Sequence, residues 1–177
     1  MSLAPNPKYL LDANVLIQAK NFQYRFQFCQ IFWDWIEKAH QANFVFSVNK
    51  VKIELENGKA DDPVRTWIDK LPNNFFLLDI KDPSVSPCYS QLMTWIASNN
   101  HYTKQAKDEF ARPNVADAFL IAVAKTHGYT IVTHEKGNPD RKSRVLIPDA
   151  ANHFGVSSIM VYDLLSLHAK NNFSLKL

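Results

Sequence analysis

Cysteine is scarce, with only Cys29 and Cys88 among 177 residues. Each sits in a segment of other apolar residues, and neither has the spacing of a zinc knuckle or a redox pair. That excludes a disulfide framework and points to a reduced, cytoplasmic protein. Long apolar runs are also missing. The most apolar stretch, Phe119 to Ala124, is far below the roughly 20 residues that cross a bilayer. Asp12 interrupts the region where a signal peptide would need unbroken apolar residues, so neither export nor a membrane partner is expected. Charge of one sign is lacking too, since 20 Lys and Arg against 17 Asp and Glu give a formal +3. A balance this slight does not argue for a nucleic-acid partner, so function must come from placement. No internal repeat and no low-complexity segment is visible.

What remains is an ordinary globular mixture, 46% hydrophobic and 21% charged, which excludes disorder as the main character of the chain. The length suits one domain over residues 1–177. Such a chain buries about 70% of the surface its unfolded form exposes.

Strand-like runs fall at Lys8 to Leu11, Phe44 to Ser47, Phe75 to Leu78, Tyr129 to Thr133 and Ser158 to Val161. Helical patterns lie between them. Phe26, Cys29, Trp33, Ile36 and His40 recur every three or four residues, which predicts one long amphipathic helix over Gln23 to Gln41. Ser47 is placed to cap a helix ending at Glu56, with Gly58 beyond it, and Ala13 to Lys20 can be helical. Asp62 to Leu71, Ser86 to Ser98, and Asn114 to His127 closed by Gly128 complete the helical segments. Glu135 to Arg144 reads as a polar loop. Alternation of strand and helix gives an α/β protein with a parallel sheet covered on both faces.

Open parallel sheets carry their functional groups at the carboxyl ends of the strands. Asp12 belongs at such an end, with helix capping as its ordinary alternative role. Asp117 opens a helix apolar nearly all round, from Val115 to Ala124, so its carboxylate is either helped by the helix dipole and an Asn114 cap or faces a cation in a cleft. Glu54 is a boundary residue on the helix after the second strand, and helical pitch does not separate it from Glu56. Glu135 lies two residues beyond the run Tyr129 to Thr133, with Asp140 as a rival. Carboxylates converging in one cleft repel one another, and a hard divalent cation, Mg²⁺ or Mn²⁺, resolves the repulsion. Such a site suits a metal-dependent nuclease.

The runs Tyr9-Leu10-Leu11-Asp12-Ala13-Asn14-Val15-Leu16-Ile17 and Val115-Ala116-Asp117-Ala118-Phe119-Leu120-Ile121-Ala122-Val123-Ala124 resemble the PIN-domain family, which includes the VapC-type ribonuclease toxins. Thr130 to Thr133, Glu54-Leu55 and Ile147-Pro148-Asp149 extend the resemblance over most of the chain. It implies a three-layer α/β/α sandwich around a mainly parallel sheet, a divalent metal held by four acids, and endonucleolytic cleavage of RNA. Asp12, Glu54 and Asp117 match three of those acids, and Asn14 matches a small polar position that supports the metal site, with Thr133 beside it. The fourth acid departs from the pattern. The family commonly has Thr, one residue, then Asp, whereas Thr133-His134-Glu135 supplies Glu. Direct ligation by Glu135, contact through water, or replacement by Asp140 all stay open.

His134 is read as a surface or hydrogen-bonding residue rather than a general base. Lys136, Arg141, Lys142 and Arg144 are candidates to hold an RNA backbone, with Lys104, Lys107 and Arg112 behind them. Phe22, Tyr24, Phe28, Phe32 and Trp35 offer more aromatic surface than one buried face absorbs, which suits a homodimer or, from the toxin resemblance, a cognate antitoxin. The leading expectation is a Mg²⁺- or Mn²⁺-dependent endoribonuclease, the toxin of a toxin-antitoxin pair. A catalytically silent PIN-like module for protein interaction or RNA binding is the alternative. A phosphatase using Asp12 as nucleophile ranks below both, because Asn14 stands where its general acid would be needed.

Overall fold

In a computed structural model, residues 7–170 are described. Five short strands form one all-parallel sheet in the order β3-β2-β1-β4-β5: β1 Tyr9–Leu11, β2 Val45–Val48, β3 Phe76–Leu77, β4 Thr130–Val132 and β5 Ser158–Ile159. Every residue of β1 and β2 is buried, as expected of central parallel strands covered on both faces. Leu10 lies opposite Phe46 on one side and Ile131 on the other. Helices flank the sheet, giving the three-layer α/β/α sandwich that the alternation predicts. Among the described residues no helix is long and apolar enough to cross a membrane.

The chain runs outward from β1 through β2 to β3, then returns to lay β4 and β5 on the other side of β1. Strand order therefore reverses between β1 and β4, and the two connections that leave these strands in opposite directions open a crevice at their carboxyl ends.

The helices are α1 Ala13–Gln18, α2 Gln30–Gln41, α3 Asn49–Glu56, α4 Pro63–Ile68, α5 Ser86–Ser98, α6 Lys104–Phe110, α7 Asp117–His127, α8 Ile147–His153 and α9 Val161–His168. The central one is α7. Ala118 to Ala124 are all buried, in agreement with its all-round apolar sequence, and it packs against α5, α8, β2 and β4. Gly128, at φ 72°, ends it in the left-handed conformation that glycine tolerates.

Three local expectations are corrected. The helix predicted from Gln23 to Gln41 begins only at Gln30, preceded by a π-helical turn over Ala19–Gln23 and a chain reversal. Aromatic packing drives the reversal: Tyr24 stacks on Phe32 with centroids 4.2 Å apart, Phe26 stacks on Trp33 at 4.0 Å, and Trp33 Nε1 donates to the Tyr24 carbonyl at 2.7 Å. Tyr24 and Phe26 lie against the helix rather than in it. Ser47 does not cap α3, since Val48 holds that position and the Ser47 hydroxyl instead donates to the Leu11 carbonyl at 2.7 Å. Asn114 does not cap α7, which starts three residues later at Asp117 with Ala116 as N-cap. The helices α6, α8 and α9 were not among the segments that periodicity picked out.

The reversal also disposes of part of the aromatic excess. Tyr24 and Phe32 cover each other, whereas Phe22 and Phe28 keep 62% and 64% of their surface exposed.

Candidate active site

At the end of β1 the chain passes from Leu11 into α1 through Asp12, which is buried and makes no side-chain capping bond to the helix. Its Oδ2 accepts from the Thr133 hydroxyl at 2.8 Å, across the reversal point from the end of β4. That hydroxyl is fully used. It gives its one proton to Asp12 and accepts from Asn14 Nδ2 at 3.0 Å and from the Glu135 backbone N–H at 3.1 Å. Asn14 Oδ1 in turn accepts from the His134 backbone N–H at 3.0 Å. Asn14 and Thr133 therefore lock the Asp12 carboxylate and the turn carrying His134 and Glu135 into one network.

Glu54 reaches the same place from α3. Its Oε1 accepts from the Ala116 N–H at 2.9 Å, so a carboxylate from another helix satisfies the N-terminus of α7 that Asn114 leaves alone. Asp117 follows immediately and is partly buried. Glu135 accepts from the Ile147 N–H at 2.8 Å through Oε2, and its Oε1 pairs with Arg144 Nη2 at 2.8 Å.

The charges register their proximity. Burial is the main force pushing Asp12 from 3.8 up to about 7; the Thr133 hydrogen bond opposes it, and the negative charges of Glu135 and Glu54 add to it. Asp117 is held well above the usual carboxylate range, first by burial, then by Asp12 and Glu135, with Arg144 pulling the other way. Burial and neighbouring charge thus set the state of Asp117. Glu54 is raised by burial, against its bond from Ala116. Asp140 is exposed and contributes to none of these shifts. The structure thus brings Asp12, Glu54, Asp117 and Glu135 together from four separate elements and leaves Asp140 outside.

The remaining candidates surround the cluster. His134 is partly buried, which lowers its pKa, and its ring lies 5.5 Å from that of Tyr162. Lys136, Arg141, Lys142 and Arg144 are all exposed on the loop between β4 and α8. Backbone bonds shape that loop: the Lys142 carbonyl accepts from Thr103 at 2.9 Å, and Asp149 Oδ2 accepts from the Asn138 N–H at 2.9 Å. Gly137 passes so close that a Cβ there would stand 2.8 Å from Asp149 Oδ1. Lys104 is paired with Asp108 and Lys107 with the Ala97 carbonyl, while Arg112 is exposed. The link from Arg144 to the acids was not readable from sequence, because only the folded loop returns it to Glu135.

Among the described residues no group of three or more His, Cys, Asp or Glu side chains is gathered tightly enough to hold an ion as it stands. Glu54 and Glu135 turn oxygens toward backbone N–H groups instead. The chemistry of the donor set nevertheless fits a hard cation: the donors are carboxylate oxygens only, and three of them are held above their ordinary pKa by burial or one another's charge. A model of the family described as "Domain of unknown function (DUF4411)" matches residues 9–172. No curated protein matches the sequence.

Proposed function

The chain belongs to the DUF4411 family, and from its acid cluster we propose that it is a metal-dependent endoribonuclease of the PIN type, acting in the cytoplasm. One observation carries the reading: carboxylates from four elements meet at the point where strand order reverses, and three of them, Asp12, Glu54 and Asp117, stand in surroundings that oppose their ionisation. Arg144 offsets the charge of Glu135, and a divalent cation relieves the repulsion left among Asp12, Glu54 and Asp117.

Asp12, Glu54 and Asp117 are the residues to hold Mg²⁺ or Mn²⁺, with Glu135 completing the negative cluster. The bound cation supplies Lewis-acid neutralisation of the charge that develops on a phosphodiester during hydrolysis. The chain's own groups do the rest. Thr133 and Asn14 fix the orientation of Asp12 through two hydrogen bonds, at 2.8 and 3.0 Å. Glu54 ties α3 to the N-terminus of α7 and so sets where Asp117 stands. The exposed cations Lys136, Arg141, Lys142 and Arg144 line one loop beside the cluster, where they can track an RNA backbone.

The test is cleavage of RNA by purified protein with Mn²⁺, with Mg²⁺ and with EDTA, beside an Asp117→Asn control. Metal-dependent cleavage that vanishes in the control supports the proposal; a folded protein that neither cuts RNA nor gains thermal stability from either ion sinks it.

A second reading, a catalytically silent interaction module, draws on the exposed rings of Phe22 and Phe28. In either reading these rings suit a homodimer or a protein antitoxin. A chain that sediments as a monomer, unchanged by Phe22→Ser with Phe28→Ser, would remove the homodimer.

A further inference from the structure

We propose that Arg144 takes an RNA phosphate and that Glu135 is its positioning residue, leaving Asp12, Glu54 and Asp117 as the whole protein ligand set of the ion. This rests on the nuclease reading above and assigns its fourth acid a different task.

Both oxygens of Glu135 are committed. Oε2 accepts from the Ile147 N–H at 2.8 Å and Oε1 pairs with Arg144 Nη2 at 2.8 Å. The Glu135 backbone N–H is fixed as well, at 3.1 Å from the Thr133 hydroxyl that holds Asp12. An acid tied at three atoms is poorly placed to turn toward an ion, and well placed to hold a partner.

The pair is asymmetric. The Glu135 side chain is 11% exposed and that of Arg144 46%. A guanidinium has five N–H donors in a rigid fork. One contact goes to Glu135 Oε1, and almost half of the side chain stays open. Arg144 also lines a small cleft together with Asp117, Glu109, Val115 and Val145. Positive charge thus stands beside Asp117, one of the carboxylates that would hold the ion, and would add to the attraction for an RNA phosphate there. Lysine would lack the fork that matches two phosphate oxygens.

The experiment uses the full chain and two binding readouts. Calorimetric titration with Mn²⁺ compares wild type, Glu135→Gln and Asp117→Asn. Fluorescence anisotropy of a labelled single-stranded RNA in EDTA, over a range of salt, compares wild type, Glu135→Gln, Arg144→Lys and Arg144→Ala, each checked for folding by circular dichroism. Glu135→Gln is expected to keep Mn²⁺ affinity, while Asp117→Asn loses it by at least about tenfold. Arg144→Ala is expected to weaken RNA binding and to reduce the salt slope by about 1. Arg144→Lys should restore the slope without the full affinity, and Glu135→Gln should weaken RNA binding although it removes a negative charge. That last sign is the opposite of what general electrostatics predicts.

Loss of Mn²⁺ by Glu135→Gln equal to that of Asp117→Asn makes Glu135 a ligand and overturns the inference. So does RNA binding by Arg144→Ala with wild-type affinity and slope. If wild type binds neither Mn²⁺ nor RNA, the nuclease reading falls and this falls with it; if wild type binds both, a failure among the Glu135 and Arg144 variants touches this inference alone.

Discussion

Asp12 and Thr133 lie 121 residues apart in the chain and 2.8 Å apart in space, joined by a buried hydrogen bond that spans the point where strand order reverses. Two neighbouring strands meet in that bond. It also explains why a threonine is needed at the end of β4: its hydroxyl carries three hydrogen bonds while its methyl stays in the core.

Thr133→Val keeps the shape and deletes the hydroxyl, stranding the Asn14 amide, the Glu135 N–H and one oxygen of Asp12. Thermal unfolding should show a loss of about 1–3 kcal/mol, with Thr133→Ser closer to wild type. Mn²⁺ affinity should drop about 10–100-fold in the valine variant, since an unsupported ligand loses its orientation. Unchanged Mn²⁺ affinity would show that the hydroxyl does not serve the site.

The raised pKa of Asp12 gives the metal-free protein a pH dependence of definite sign. Folding lifts this carboxyl from 3.8 to about 7, so the folded state binds the proton more tightly than the unfolded one. The group is neutral in both states below about pH 4 and charged in both above about 7, and between them the folded protein loses stability as pH rises. Urea unfolding in EDTA should follow this decline. Asp12→Asn should flatten that part of the profile, and Mn²⁺ should raise the melting temperature more at pH 8 than at pH 5. A decline as steep in Asp12→Asn as in wild type would assign it to other groups.

Glu54 has two separable tasks. Glu54→Gln retains a side-chain oxygen for the Ala116 N–H while deleting a buried charge, so stability at neutral pH should be kept or increased as metal binding falls. Glu54→Leu removes the acceptor as well and should cost about 1–3 kcal/mol. Chemical denaturation of both variants, beside Mn²⁺ titration, checks the split; equal destabilisation would show that the bond to Ala116 is unimportant.

Gly137→Ala brings a methyl to within 2.8 Å of Asp149 Oδ1, so the carboxylate must shift, which strains the bond that its Oδ2 accepts from the Asn138 N–H. The loop between β4 and α8 should then be cut faster by protease, and RNA affinity should fall with the displaced cations. A proteolysis pattern matching wild type would count against this loop being held by Asp149.

Much of this architecture was legible because burial leaves a direct imprint on sequence. Tyr9 to Leu11 and Tyr129 to Thr133 are apolar enough to mark central strands, and the unbroken apolar run after Asp117 marks a helix covered on nearly every side. Alternation with helices then makes the sheet parallel and fixes the edge at which Asp12 and Glu135 lie, although the strand order itself does not follow from sequence. Other features depend on partners remote in the chain. Periodicity could not distinguish Tyr24 and Phe26 on a helix from the same rings folded back against it. The acceptor for the Ala116 N–H at the start of α7 proved to be Glu54, 62 residues away, and no local pattern reports such a bond. Glu135 and Asp140 are both acids in a polar loop; only the fold separates one turned inward to Arg144 and Ile147 from one left in solvent.

The central place of β1 has a consequence for the growing chain. Leu10 gains its second neighbour only when Ile131 pairs beside it, and Asp12 meets Thr133 in the same event. Pairing at this separation closes late, because a long loop must be ordered before the contacts that reward it form. During synthesis Asp12 therefore stays without its Thr133 partner until β4 has left the ribosome.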